Sequence, residues 1–506
     1  MSVQEVLMPS LTALPLWALA GLTLFTILIT YVFLNAIYNI WFHPLRKYPG
    51  PWWQAANRLP YMISIFQGTA TRNTAKWHEK YGHVVRITPD TLSFTSSQAW
   101  TDIYGLKQSQ QRGNLPKDPK YYIKTPEGAD TISTANDADH RRLRRIQAHA
   151  FSEKALSLQE DYLRQYTSLF ISRLREQTDK PGGGAINIAR WLNFLTTDII
   201  GELTFAESFG GLEKGQLHPW LESIFWTLKA FTFIRELNRW PSLVKRALFA
   251  CIPKGMIKHQ QASMAFGAEA AKRRMEMQTD RNDFMSYILK QEGEKRMTES
   301  EIEAAAITFI VAGSETTATM LSGTMYLLCT NPAMLRKLTS MVRTDFPSES
   351  DLTLVKLQQH KYLNAVLQEG LRLYPPAPDN LFRVTPDTGS IVMGEMVPPH
   401  TSMTMNLWAA HRSPDNFHRP TEFIPERWMK AAPVEFQRDD RNGLLGEKAN
   451  AGGSLAWAEM RMILAYMLWH FDFELEPDSQ GWIERQKIFM LWEKVDLNVR
   501  VSHRRR

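Results

Sequence analysis

The chain has 506 residues, more than one ordinary hydrophobic core holds, and carries 59 Lys and Arg against 52 Asp and Glu, a formal charge of +7. A hydrophobic content of 44% excludes wholesale disorder. The two cysteines, Cys251 and Cys329, exclude a disulfide framework, fit a reducing compartment and lie in no Cys/His cluster of zinc spacing.

From Val6 to Phe42 no residue is charged, and Leu11 to Ile40 is dominated by Leu, Ile, Ala, Phe and Trp. Roughly 20 apolar residues cross a bilayer core, so residues 1–42 are expected to hold a single transmembrane anchor. A cleaved signal peptide is the competing reading, but it needs a basic start and a shorter apolar run. Glu5 is the only charge before the run, whereas Arg46 and Lys47 follow it, which predicts a cytoplasmic downstream side. Residues 43–53, HPLRKYPGPWW, hold three prolines that cannot continue a helix, and read as a stiff hinge. With no repeat or second linker after it, residues 54–506 read as one large, mostly helical domain.

Within that domain, residues 135–156, ANDADHRRLRRIQAHAFSEKAL, form a basic segment whose Arg141, Arg142, Arg144 and Arg145 read, taken alone, as a solvated face. Residues 218–240 are aromatic-rich and fit either core helices or the lining of an apolar access channel. Thr298 with Glu301 forms a capping box, and the apolar run behind it stops at Asn331-Pro332. About thirty helical residues span about 45 Å, so this helix is expected to pass through the core. Ala312-Gly313-Ser314-Glu315-Thr316-Thr317 lies in its middle, where glycine costs about 1 kcal/mol and a buried carboxylate more. Either the helix kinks and Glu315 reaches solvent, or it opens locally around a small ligand, with Glu315 and Thr316 handling protons.

Residues 362–378, YLNAVLQEGLRLYPPAP, place Glu369 and Arg372 on one helical face. Phe423-Ile-Pro-Glu-Arg427-Trp428 offers a second arginine, which would complete a buried network of Glu369, Arg372 and Arg427. Residues 439–461, DDRNGLLGEKANAGGSLAWAEMR, read as a glycine-rich loop followed by a helix from about Leu455.

Taken jointly, Ala-Gly-x-Glu-Thr-Thr, Glu-x-x-Arg, Pro-Glu-Arg-Trp and the trailing Ala-Glu-Met-Arg helix, in this order, resemble a microsomal cytochrome P-450 from the anchor to about residue 500. The turn Trp408-Ala-Ala-His-Arg-Ser-Pro414 and residues 135–156 are similar to the fungal secondary-metabolism, isotrichodermin hydroxylase-like group. The resemblance implies a mainly α fold with small β-sheets (α+β) behind a single-pass anchor in the endoplasmic reticulum membrane. It also implies heme b and oxidation of a lipophilic small molecule by O2, with electrons from an NADPH-dependent reductase. On the same basis His140, Arg144 and Arg383 are expected to meet the haem propionates, Ala312 and Gly313 to face the cofactor, and Glu315 and Thr316 to relay protons. The basic surface and the +7 charge fit an acidic redox partner or an anionic membrane, and no nucleic-acid motif is present.

One departure stands out. The family pattern Phe-x-x-Gly-x-Arg-x-Cys-x-Gly, aligned without gaps from Ala458-Glu459, puts Lys448 on the arginine and Asn450 on the cysteine, so no metal ligand is assigned. Asparagine cannot give the electron push of a thiolate, and Met460 and His470 are expected to stay on their own helix faces. Three accounts follow: a monooxygenase whose splice boundary is misplaced near residues 443–453, a haem-loop-defective relative that binds ligands or partners (a pseudoenzyme), or a membrane protein of another class matched by chance. The first is favoured by locality, because the pattern recovers at once in SLAWAEMRMILAYML; the joint motifs argue against the third.

Overall fold

The computed structural model describes residues 16–105, 114–122, 128–181, 183–250, 252, 254–279, 281–293, 296–378, 381–441 and 453–504. The apolar run forms an α-helix over Leu16–Ile37 and continues as a π-turn through Phe42, with none of its most apolar window buried. The proline-rich segment after it is bolted to the body. His43 caps the short Pro44–Lys47 turn, Leu45 is buried, and the Arg86 amide donates to the Pro49 carbonyl at 2.8 Å. A Cβ on Gly50 would stand 2.4 Å from the Arg86 carbonyl oxygen, so this close approach of two backbones needs glycine.

Helices make up most of the body, with small sheets at its edges. One sheet orders Val84–Thr88, Thr91–Phe94, Ser402–Met405 and Arg383–Val384; the middle pair is parallel and the outer pairs are antiparallel. Another joins Ala185–Asn187, Asn498–His503 and Phe471–Leu475. The α+β class read from the sequence is therefore the one observed.

The core helix runs from Glu299 to Thr330 and opens on the expected capping box. The Glu301 amide donates to Thr298 Oγ1 at 3.3 Å, and the Thr298 amide to the Glu301 carboxylate at 2.9 Å. Small residues let neighbouring helices close on it. A Cβ at Gly313 would lie 2.5 Å from Ile200 on helix Ile188–Phe205, and one at Gly323 would lie 2.1 Å from the Tyr374 ring. Gly370, on helix Lys361–Leu373, gives the same clearance to Thr324. These approaches fix the crossing of the core helix with the Glu-x-x-Arg helix.

Candidate functional site

Between Val311 and Glu315 the core helix widens into a π-turn. This inserts extra backbone into the helical ladder, an adjustment often found where a helix meets a ligand. Ala312 is exposed there, although Ile310 and Ala318 on the same helix are fully buried. Thr316 is half-buried and its Oγ1 donates to the Ala312 carbonyl at 2.6 Å. The structure thus separates the two small residues of the motif: Ala312 borders open space, whereas Gly313 packs on Ile200.

Glu315 does not reach solvent as the kinked alternative required. It is 5% exposed, accepts from Thr319 Oγ1 at 3.0 Å and is paired with Lys494. Lys494 also donates to Thr319 Oγ1 at 2.7 Å. Burial lowers the lysine's pKa, and the Glu315 carboxylate opposes that shift. Sequence reasoning missed this partner, because Trp-Glu-Lys-Val-Asp carries no pattern that separates Lys494 from a surface lysine.

A basic cleft gathers residues from three segments. Strand Arg383–Val384 lies beside residues 116–118: Lys117 and Arg383 form an antiparallel bridge, and the Val384 amide donates to the Pro116 carbonyl at 3.0 Å. Helix Asp137–Ala148, capped by Asn136, brings His140 and Arg144 against them. Burial first, and then the neighbouring Arg383 guanidinium, push the Lys117 ammonium down to about 8. The His140 pKa is lowered by burial first, then by Lys117, Arg144 and Arg383. Arg383 Nη1 is buried with no hydrogen-bond partner among the described residues. Mutually repelling cations around an unsatisfied guanidinium form a receptor for carboxylates. Lys117 is the member that the sequence did not reveal. Among the other arginines of this helix, Arg142 is spent on Glu301, and Arg141 and Arg145 are exposed.

Below the core helix stands the charge network. Glu369, Arg372 and Arg427 are fully buried. Arg372 donates to both Glu369 oxygens at 2.8 and 2.9 Å, Arg427 Nε donates at 3.1 Å, and the Ile424 amide and Trp428 indole each donate at 2.8 Å. The expected three-member network gains a fourth, Asp439, which pairs with Arg427 and accepts from the His418 amide at 2.7 Å. Arg441 adds a 2.9 Å bond to the Arg427 carbonyl, so this ordered frame reaches the last described residue before the loop.

Lys448 and Asn450 lie outside the described residues, as do Gly443, Gly446 and Gly452. Helix Gly453–His470 resumes the chain. Met460 is buried in the apolar core, and His470, at the far end of that helix, contacts Glu349 at 3.2 Å. Burial pushes the Cys329 thiol up to about 12, which disfavours a thiolate. The carboxylate end of a haem therefore fits the basic cleft, but among the described residues none fits the role of thiolate ligand. The only cysteines of the chain are Cys251 and Cys329, both far from the loop in sequence.

The family model described as Cytochrome P450 matches residues 52–498. Among curated relatives, cytochrome P450 monooxygenase astJ of Aspergillus oryzae is 40% identical, over 92% of this chain and 94% of that protein. Cytochrome P450 monooxygenase stcF of Emericella nidulans is 38% identical, over 94% of this chain and 99% of that protein. Averantin hydroxylase of Dothistroma septosporum is 37% identical, over 94% of this chain and 90% of that protein.

Proposed function

Because the chain belongs to the cytochrome P450 family, we propose that it oxidises a lipophilic small molecule with O2, using electrons from an NADPH-dependent reductase. The observations that carry this reading are the basic cleft of Lys117, His140, Arg144 and Arg383, and the π-turn that leaves Ala312 exposed on the core helix. Heme b, when bound, supplies the oxygen-activating chemistry. The chain's own residues do the rest.

Lys117, Arg144 and Arg383, with the His140 imidazole beside them, would hold the two haem propionates and so orient the macrocycle. Thr316 Oγ1 donates to the Ala312 carbonyl, which holds the hydroxyl beside the open space that Ala312 borders. Glu315 is paired with Lys494, which ties the acid of the core helix to the segment after strand Leu491–Glu493. Helix Leu16–Ile37 is placed in the endoplasmic reticulum membrane with the body facing the cytoplasm, and the excess of basic residues serves an acidic reductase. Residues 1–42 would then be the anchor, 43–53 the link and 54–506 the catalytic domain.

No thiolate step can be written for residues 442–452 as they stand. We therefore assign that stretch to a misplaced splice boundary, since the frame is complete up to Arg441 and resumes in helix Gly453–His470. Sequencing the transcript across codons 439–456 tests this assignment, and an in-frame cysteine codon is expected. A transcript that encodes Asn450 and no cysteine overturns it and leaves a ligand-binding pseudoenzyme.

A further inference from the structure

Adjoining the basic cleft, a second, narrow cleft, partly open to solvent, lies among Arg58, Tyr121, Arg235, Glu236, Arg239 and Phe382. It sits where helix Leu59–Gln67 meets helix Pro219–Leu237, just beyond the short helix Trp52–Ala56 that follows the proline-rich segment. Its charges do not balance. Arg239 pairs with Asp118 at 2.9 Å, Arg58 pairs with Asp90 and with Glu236 at 3.3 Å, and Lys120 stands 3.9 Å from Asp90. Among the described residues, four cations thus meet three carboxylates. The one left over is Arg235, whose bonds among those residues go to the Tyr121 hydroxyl at 3.0 Å and Met490 sulfur at 2.9 Å.

Two of the guanidinium donors are unmet. Arg235 Nε and Arg239 Nη1 are buried with no hydrogen-bond partner among the described residues, and the Arg239 side chain is 3% exposed. A buried donor without an acceptor is costly, so such a pair marks a place for an incoming oxygen. Aromatic surface flanks it. Tyr121 and Phe382 pack with ring centroids 4.7 Å apart, with Arg235 over the tyrosine and Arg239 over the phenylalanine.

We propose that this cleft is a subsite for an oxyanion, a carboxylate or phenolate, carried by a lipophilic small molecule, with Arg235 Nε and Arg239 Nη1 as its donors. The surplus is a single positive charge, which suits one singly charged group. Burial raises the Glu236 pKa, which weakens its opposition to an incoming anion. Phe382 precedes Arg383 of the basic cleft, so the two sites share a wall. That the rest of the molecule extends across this wall to be oxidised rests on the proposed function; binding in the subsite does not.

The test is equilibrium binding of 2-naphthoate and its methyl ester to the full chain, followed by ligand fluorescence at neutral pH. The readout needs no haem, so its failure is separable from a failure of the monooxygenase reading. Naphthoate is expected to bind at least tenfold tighter than the ester. Arg235→Gln should abolish that preference and leave ester binding unchanged. Arg239→Lys, which keeps a cation for Asp118 but removes Nη1, should reduce it severalfold; thermal melts report whether each variant folds. Equal affinity for acid and ester overturns the proposal, as does a preference that survives both substitutions in folded protein. A third overturning result is that the substitutions change only attachment to phosphatidylserine vesicles, which would make the cleft a lipid headgroup contact.

Discussion

Lys494 pairs with Glu315 and donates to Thr319 Oγ1 at 2.7 Å, so the acid of the core helix is tied to the segment following hairpin residues 487–493. Both side chains are 6% exposed. Removing one partner of a buried ion pair leaves an uncompensated charge, which costs about 3–5 kcal/mol. Lys494→Met is therefore expected to destabilise by about that amount in denaturant unfolding. Lys494→Met with Glu315→Gln should recover much of the loss, because no buried charge then remains.

Asp439 carries the Arg427 end of the network. Asp439→Asn keeps the shape but removes the charge beside a fully buried guanidinium. Urea titration should show a loss of about 3 kcal/mol. A loss within the ordinary surface range of about 0.5 kcal/mol would remove Asp439 from the network.

Glu459 lies on helix Gly453–His470 and is fully buried; burial pushes it up to about 8, against the opposing effect of the Thr317 hydroxyl. The folded state then retains a proton that the unfolded chain releases near its ordinary value of about 4.3. Stability due to this group is full at acidic pH and is lost as pH rises toward 8, at up to about 1.4 kcal/mol per unit. Glu459→Gln stays neutral throughout. Melting curves from pH 5 to 8 should show the variant gaining steadily on the unsubstituted chain, and parallel curves would exclude a raised carboxyl.

Gly323 has no room for a methyl group, since its Cβ would meet the buried Tyr374 ring at 2.1 Å. Tyr374 is itself wedged against Trp492 at a centroid distance of 4.4 Å. Gly323→Ala should cost about 1–3 kcal/mol through overpacking, despite alanine's better helix propensity, and unfolding would report it as a lower midpoint.

The parts of the site legible in the sequence are those with local signatures. The Thr298–Glu301 box, the Asn331-Pro332 stop and the Glu369–Arg372 spacing each follow from helix geometry between near neighbours. Arg427 was reachable because its proline-bounded aromatic turn is distinctive. Lys117, Asp439 and Lys494 were not, since each acts across a long sequence separation and nothing beside it differs from a solvated charge. The motif Ala312-Gly313 read as one cofactor-facing unit, yet helical rotation turns Gly313 toward Ile200. The proline-rich segment read as a hinge, but the Pro49–Arg86 backbone bond that fixes it joins parts of the chain no local pattern connects.

The proposed function is a haem-thiolate oxidation, with a cysteine missing only from residues 442–452 as written. The carbon monoxide difference spectrum of reduced, haem-supplied protein reads the thiolate itself. Protein translated from its own transcript should give a thiolate-type band, and the chain as written should give none. Absence of that band from the transcript-derived protein, or its presence in the chain as written, would contradict the account.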